Sequence, residues 1–158
     1  MKTEQMTLPG GTTILELEAA LVQECPHVEC PVIHRFAPGL YIREILMPPG
    51  TMATSMEHKT EHAFHISRGV IKVMSETEGS VTYRAPYWGL TKPGTKRVLF
   101  IDPEFPENAG GAVWITFHVT EHTDVDKIAE EILVPHDNPL IPEDQRNQWR
   151  NQNPKLEN

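Results

Sequence analysis

Five of the eight histidines fall in two short segments: His58, His62 and His65 in MEHKTEHAFHISRG, and His118 and His122 in FHVTEH. Imidazole is neutral near pH 7 and is the commonest protein ligand for zinc, iron, copper and nickel, so clustered histidines point first to a metal site. Two geometries would use them differently. In the first, HKTEH is an H-x-x-E-H helix that sets His58 and His62 on zinc beside Glu61 as a base, with His65 one turn further along. In the second, a turn near Lys59, Thr60 and Glu61 ends one strand at His58 and begins the next at His62. Two antiparallel neighbours would then aim both rings at one point. The β-branched run ISRGVIKV that follows favours strand over helix. On such a strand, alternation sends His62, Phe64 and Ile66 inward and Ala63, His65 and Ser67 outward, so His65 leaves the site.

Two imidazoles hold a transition metal weakly, and catalytic sites have at least three protein ligands. A third ligand is therefore sought. In VWITFHVT the apolar stripe Val113, Ile115, Phe117 and Val119 leaves Trp114, Thr116 and His118 on the other face of the strand. Trp114 favours burial of that face, because a large indole is usually covered at least in part. Lining an interior, the face would complete a His58, His62 and His118 site. Glu57, Glu61 and His122 are alternative third ligands, and histidines that only hydrogen-bond inside the fold are the alternative to a metal altogether.

The elements needed to position these rings follow from the hydropathy pattern. Thr12 and Thr13 precede Ile14, Leu15, Leu17, Leu21 and Val22, which predicts a short capped N-terminal helix. Strand-like runs follow at 40–47, 64–74, 81–85, 96–101 and 113–120. Turn signals separate them: Pro48-Pro49-Gly50, Glu78-Gly79-Ser80, Pro93-Gly94, Asp102-Pro103 and Gly110-Gly111. Residues 124–133 read as a second helix with acidic residues in its first turn and Pro135 as its stop. The 158 residues contain 14 prolines and 10 glycines, which argues against a long-helix bundle. Short strands at regular intervals predict an all-β antiparallel sandwich or barrel forming one domain.

Residues 50–69 and 92–97 also carry a resemblance. Cupins have a first motif G-x5-H-x-H-x3/4-E-x6-G, and the segment from Gly50 to Gly69 resembles a variant of it. His62 stands where cupins usually have glutamate, His58 stands at the second histidine, and Met56 stands at the first. The second motif, G-x5-P-x-G-x2-H-x3-N, resembles Lys92-Pro93-Gly94-Thr95-Lys96-Arg97, with Arg97 in place of its histidine. The combination of HKTEH, APYWGLTKPGTKRVLFI and VWITFHVT is similar to small single-domain cupin-like proteins found especially among tailed-phage gene products. The resemblance spans residues 40–134. It implies a cupin-type antiparallel β-barrel (jelly roll), with the short N-terminal helix and lead-in over 1–39 and a polar, extended tail over 135–158. It supplies a histidine site but no reaction.

The expectations are then a divalent metal ion, zinc, iron, manganese or nickel, on His58, His62 and His118. Arg97, Trp114 and Thr116 would line the approach as substrate-binding residues. Lys92, Lys96 and Arg97 form a local basic patch that is either a solvated turn or, through Arg97, a fork for a carboxylate or phosphate. A small anionic molecule would be the implied ligand of the second case. Tyr83, Tyr87 and Trp88 read as packing residues.

Other chemistry is disfavoured. Cys25, His27, Cys30 and His34 lie within ten residues, but the loose C-x4-C spacing with no second pair makes a poor zinc motif. No serine sits in a G-x-S-x-G setting, and neither phosphate-binding nor dinucleotide-binding glycine motifs occur. A net charge of −8 repels phosphate backbones and anionic headgroups, so neither nucleic acid nor membrane is an expected partner. No apolar leader follows the N-terminal lysine, and the two cysteines are expected to be free thiols, which together suggest a cytoplasmic protein. The tail, polar with isolated Leu140, Ile141 and Trp149, should lie on the barrel or on a partner chain in a homo-oligomer. Either an enzyme or a non-catalytic ligand-binding, host-interaction or assembly protein would fit.

Overall fold

Helix α1 (Ile14–Glu24) starts where the sequence predicts. Thr13 caps it: its Oγ1 accepts from Glu16 N at 3.1 Å while Thr13 N donates to Glu16 Oε2 at 2.8 Å, the reciprocal pair that satisfies otherwise orphaned donors of a first turn. This computed structural model describes residues 11–146, so Trp149 lies outside the described residues.

Nine strands follow: β1 (Val32–Ala37), β2 (Leu40–Met47), β3 (Met52–Thr54), β4 (His62–Arg68), β5 (Val70–Ser75), β6 (Gly79–Arg84), β7 (Tyr87–Thr91), β8 (Arg97–Phe100) and β9 (Ala112–Val119). They form two antiparallel sheets, ordered β1-β2-β9-β4-β7 and β3-β8-β5-β6. The pairs β2·β9, β3·β8, β4·β7 and β5·β6 are nested one inside the next, as if a single long hairpin had been rolled up. That nesting is the jelly roll, and the all-β expectation is met.

The run 64–74 is two strands in different sheets rather than one. Gly69 turns the chain between them at φ +88, and a Cβ there would lie 2.6 Å from Asn108 Oδ1 and 2.8 Å from the Ala112 Cβ. Buried Asn108 fastens this corner by donating to the Val70 and Asp102 carbonyls, each at 2.9 Å, and accepting from Val70 N at 2.7 Å. Strands β1, β3 and β7 were not expected. Pro31 and Pro38 frame the first, the second has only three residues, and Pro86 and Gly89 interrupt the pattern of the third.

The main core fills the space between the sheets with Met47, Phe64, Ile66, Ile71, Val73, Tyr83, Ile101, Ala112 and Trp114. Helix α1 covers the outer face of the second sheet, packing Ile14 and Leu17 on Val98 and Met74. Helix α2 (Val125–Ile132), N-capped by Asp124, packs Ile128, Ala129 and Ile132 against fully buried Tyr41. The tail is not extended away from the domain. Ile141 packs on Ala19 and Val22, and buried Asn138 donates to the Leu15 carbonyl and to Glu18. Of the two placements expected for it, the described part lies on its own chain.

Candidate metal centre

Strand β9 turns its polar face inward. Trp114 and His118 are buried, whereas Val119 is 84% exposed and Ile115 is only partly covered. The apolar stripe, which a simple amphipathic strand would bury, faces out. The register then builds the interior wall as cross-strand rows: Tyr41 opposite His118, Arg43 opposite Thr116 and Ile45 opposite Trp114. Phe64 lies opposite Thr116 on the other side, and His62 pairs with Thr91. His62 opens β4, one residue before Ala63, which pairs with Phe117, so it falls beside His118.

His58 arrives differently from the expected strand end. Its segment follows β3, in the other sheet, and is held by an isolated bridge to Leu133. Lys59 N donates to the Ile132 carbonyl at 2.7 Å and Val134 N to the Glu57 carbonyl at 2.9 Å, so the end of α2 sets the position of His58. Gly94 N donates to the His58 carbonyl at 3.0 Å from the opposite side. Residues 58–62 are not helical, which removes the H-x-x-E-H arrangement. A helix there would need i→i−4 bonds, and Lys59 N is instead committed to the Ile132 carbonyl of α2.

The three rings converge. Ring centroids of His58 and His62 are 4.4 Å apart, those of His62 and His118 4.5 Å, and those of His58 and His118 5.1 Å. One nitrogen of each lies within 4.8 Å of the others, and no other group of three or more His, Cys, Asp or Glu is so assembled among the described residues. Each ring spends one nitrogen on an orienting partner: His62 Nδ1 on the Thr60 carbonyl at 3.3 Å, His118 Nε2 on Thr116 Oγ1 at 2.9 Å, and His58 on the Met56 backbone. Such outer partners fix ring orientation and free the second nitrogen of each ring. For His118 that second nitrogen, Nδ1, is buried with no hydrogen-bond partner.

Electrostatics keep these nitrogens unprotonated. Burial, and then the nearby His62, push His58 down to about 3. Burial, then His62 and His58, push His118 down to about 2, and burial lowers His62 as well. Neutral imidazole is the form that binds a metal. An orphaned buried acceptor, three neutral nitrogen donors and fixed ring orientations fit a borderline divalent ion such as zinc, iron, manganese or nickel.

The other expected residues divide. Trp114 and Thr116 line a cavity of about 800 Å³ that also reaches His58 and His62. Arg97 lines it too, but not as a free fork. Its Nε and Nη2 donate to Glu78 Oε2 and Oε1 at 3.1 and 3.3 Å, Nη1 donates to Thr91 Oγ1 at 2.8 Å, and the guanidinium lies over the Phe64 and Trp114 rings. Burial alone would raise the Glu78 carboxyl, yet hydrogen bonding and attraction to Arg97 hold it below the ordinary range. Lys96 is equally committed, 2.6 Å from Glu18. Of the basic patch only Lys92 is solvated. The carboxylates that claim the other two, Glu18 and Glu78, are distant in sequence, so local pattern could not reveal them.

The remaining candidates are elsewhere. His65 faces outward, stacked on Trp88 at 3.9 Å. His122 pairs with Glu131 at 3.2 Å near the surface. Cys25 and Cys30 are free, and His34 Nδ1 is 2.6 Å from the Tyr41 hydroxyl, so the N-terminal ligands do not gather. Tyr83 is buried, as a packing residue should be, while Tyr87 and Trp88 are exposed. Sequence reasoning missed Arg43, which lines the cavity from β2.

No family model matches the chain, and no curated protein matches it. Solved structures similar to it include a cupin domain from Bordetella pertussis, 15% identical over 60% of this chain and 97% of that one, with a TM-score of 0.46. A Klebsiella pneumoniae protein with a double-stranded β-helix domain is 12% identical over 63% and 84%, at 0.49. An acetylacetone dioxygenase from Acinetobacter johnsonii is 16% identical over 57% and 58%, at 0.40.

Proposed function

We propose that this chain is a cupin-like metal-binding protein in which His58, His62 and His118 hold one divalent ion at the inner end of a small-molecule cavity. The observation that carries it is the buried, unpartnered Nδ1 of His118, on a ring grouped with two further neutral imidazoles. Leaving a buried polar atom unmade costs about 1–3 kcal/mol, and a coordinated ion removes that cost. With three protein ligands such an ion keeps open positions, and would polarise a carbonyl or activate water or dioxygen.

The chain's own residues then do the rest. Thr60, Thr116 and the Met56 backbone hold the rings in register, and Trp114 with Met56, Ile45 and Leu99 supplies apolar walls that shed water. Arg97, neutralised by Glu78, stiffens the wall instead of gripping substrate. A non-catalytic, ligand-binding role is the second reading. It is favoured by the carboxylates of buried Glu18 and of Glu78 being locked to Lys96, His136 and Arg97, which leaves them unable to act as a general base.

The proposal extends to setting and assembly. Free Cys25 and Cys30 suit a reducing, cytoplasmic compartment, and no helix among the described residues is long and apolar enough to cross a membrane. Self-association is supported by the outward face of the first sheet, where Trp88, Leu90 and Val119 are well exposed.

Metal analysis of protein purified without added metal tests the centre. One ion per chain is expected in the parent protein, with loss in His58→Ala, His62→Ala and His118→Ala variants that keep the same far-UV spectrum. Metal-free parent protein that also fails to take up zinc, iron(II), manganese or nickel would contradict it.

A further inference from the structure

Among the positive side chains inside the barrel, Arg43 is singular. Arg97 is matched by Glu78 and Lys96 by Glu18, both at hydrogen-bonding distance. Arg43 has no ion pair among the described residues, and its Nε is buried with no hydrogen-bond partner. A guanidinium cannot shed its proton, so an unmatched one half-buried in the wall is costly unless something else supplies the anion.

Its place in the fold says where that anion would sit. Arg43 is on the inward face of β2, in register with Thr116, one row from the Tyr41–His118 pair. It lines the same cavity as His58, His62 and Thr116. Around it lie Ile45, Met47 and Trp114, which are apolar. The cavity thus offers one fixed, forked positive group beside the histidines and an oily body beyond.

We propose that Arg43 is the anchor for a carboxylate group of the cavity's small-molecule ligand, whose apolar remainder packs along Ile45, Met47 and Trp114. This rests on the small-molecule site proposed above and names its ligand class. The guanidinium fork matches the two oxygens of a carboxylate. One unmatched positive charge suits a monoanion better than a phosphate dianion, since Lys96 and Arg97 are already neutralised. The cavity, at about 800 Å³, is within the usual range for small-molecule sites.

Benzoate, benzamide and phenyl phosphate are suitable probes, titrated by calorimetry into the full chain, both chelator-treated and reloaded with zinc. Benzoate should bind the chelator-treated protein, benzamide should bind at least tenfold more weakly, and phenyl phosphate should not bind better than benzoate. Arg43→Gln should lower benzoate affinity at least tenfold, with Arg43→Lys recovering part of it. Ligand-free Arg43→Gln should also melt higher than the parent, because an uncompensated, half-buried charge is gone; a residue needed only for folding would melt lower. No benzoate binding, equal binding of benzamide, tighter binding of phenyl phosphate, or unchanged affinity in Arg43→Gln would each overturn the assignment. Zinc content measured on the same samples separates the two ideas. Protein that takes zinc but binds benzoate independently of Arg43 keeps the metal centre and loses this anchor, and protein that takes no zinc but binds benzoate through Arg43 does the reverse.

Discussion

At the scale of single residues the charges of the cavity wall are matched, apart from exposed Glu29 at its edge, with one exception. Glu78 and Arg97 form the best-defined pair, with two hydrogen bonds between them and a third from Arg97 to Thr91. Glu78→Gln leaves a nearly buried guanidinium without its counter-ion, and because the carboxylate side of the pair reaches solvent the loss should be about 1–3 kcal/mol. Urea unfolding at pH 7 should show that loss, and an unchanged midpoint would mean the pair is solvent-screened. His62, His118, Trp114 and Thr116 were legible in the sequence because strand alternation sorts side chains by face, whereas His58 came from the histidine cluster and Arg97 from the resemblance of 92–97 to the second cupin motif. Arg43 was not. It alternates with Tyr41, Ile45 and Met47 on one face of a strand, and only three-dimensional packing shows that no carboxylate comes to meet it.

At the scale of elements, α1 is held by a buried polar clamp as much as by its apolar face. Glu18 lies 2.6 Å from Lys96 Nζ and 2.9 Å from His136 Nε2, and its Oε1 accepts from Thr54 Oγ1 at 2.8 Å. Burial would raise this carboxyl, but the His136 hydrogen bond and the Lys96 charge outweigh it and hold Glu18 at about 2, against an ordinary 4.5. A carboxylate depressed in the folded state adds stability that is present above its unfolded value and lost as pH falls through its folded value. The contribution, about 3 kcal/mol, should therefore be intact above pH 4.5 and disappear toward pH 2. Chemical unfolding of Glu18→Gln should show lower stability at pH 7 and a shallower acid slope in that window, and a slope parallel to the parent's would refute the clamp. Both helices and the long strands were legible from period and caps. The short or proline-framed strands β1, β3 and β7 were not, since their pairing comes from partners remote in the chain. The same remoteness hid the tail's contacts with α1, where Asn138 and Ile141 find partners more than a hundred residues earlier.

At the scale of the whole molecule, the rolled sheet sends its polar residues in and part of its apolar surface out. Leu90 and Val119 are 64% and 84% exposed, and Phe117, two residues before Val119 on β9, is stacked on exposed Trp88 of β7. Covering this face with a second copy would remove that surface from water, so the protein should sediment as a homo-oligomer that Leu90→Lys with Val119→Lys converts to monomer. A monomeric parent at micromolar concentration would contradict that use of the face. An all-β sandwich or barrel was legible from strand spacing, and the jelly roll from the resemblance of 40–134, but the choice of which face of β9 looks inward follows from how the hairpin rolls and not from its hydropathy. The inward choice is what brings His118 to His58 and His62, and all else proposed for the centre depends on it. Anomalous diffraction from crystals of protein purified without added metal, recorded across the absorption edges of manganese, iron, nickel and zinc, examines that convergence most directly. One anomalous peak should lie among the free nitrogens of His58, His62 and His118, whereas a map with no peak there, or with the ion bound elsewhere, would contradict the account.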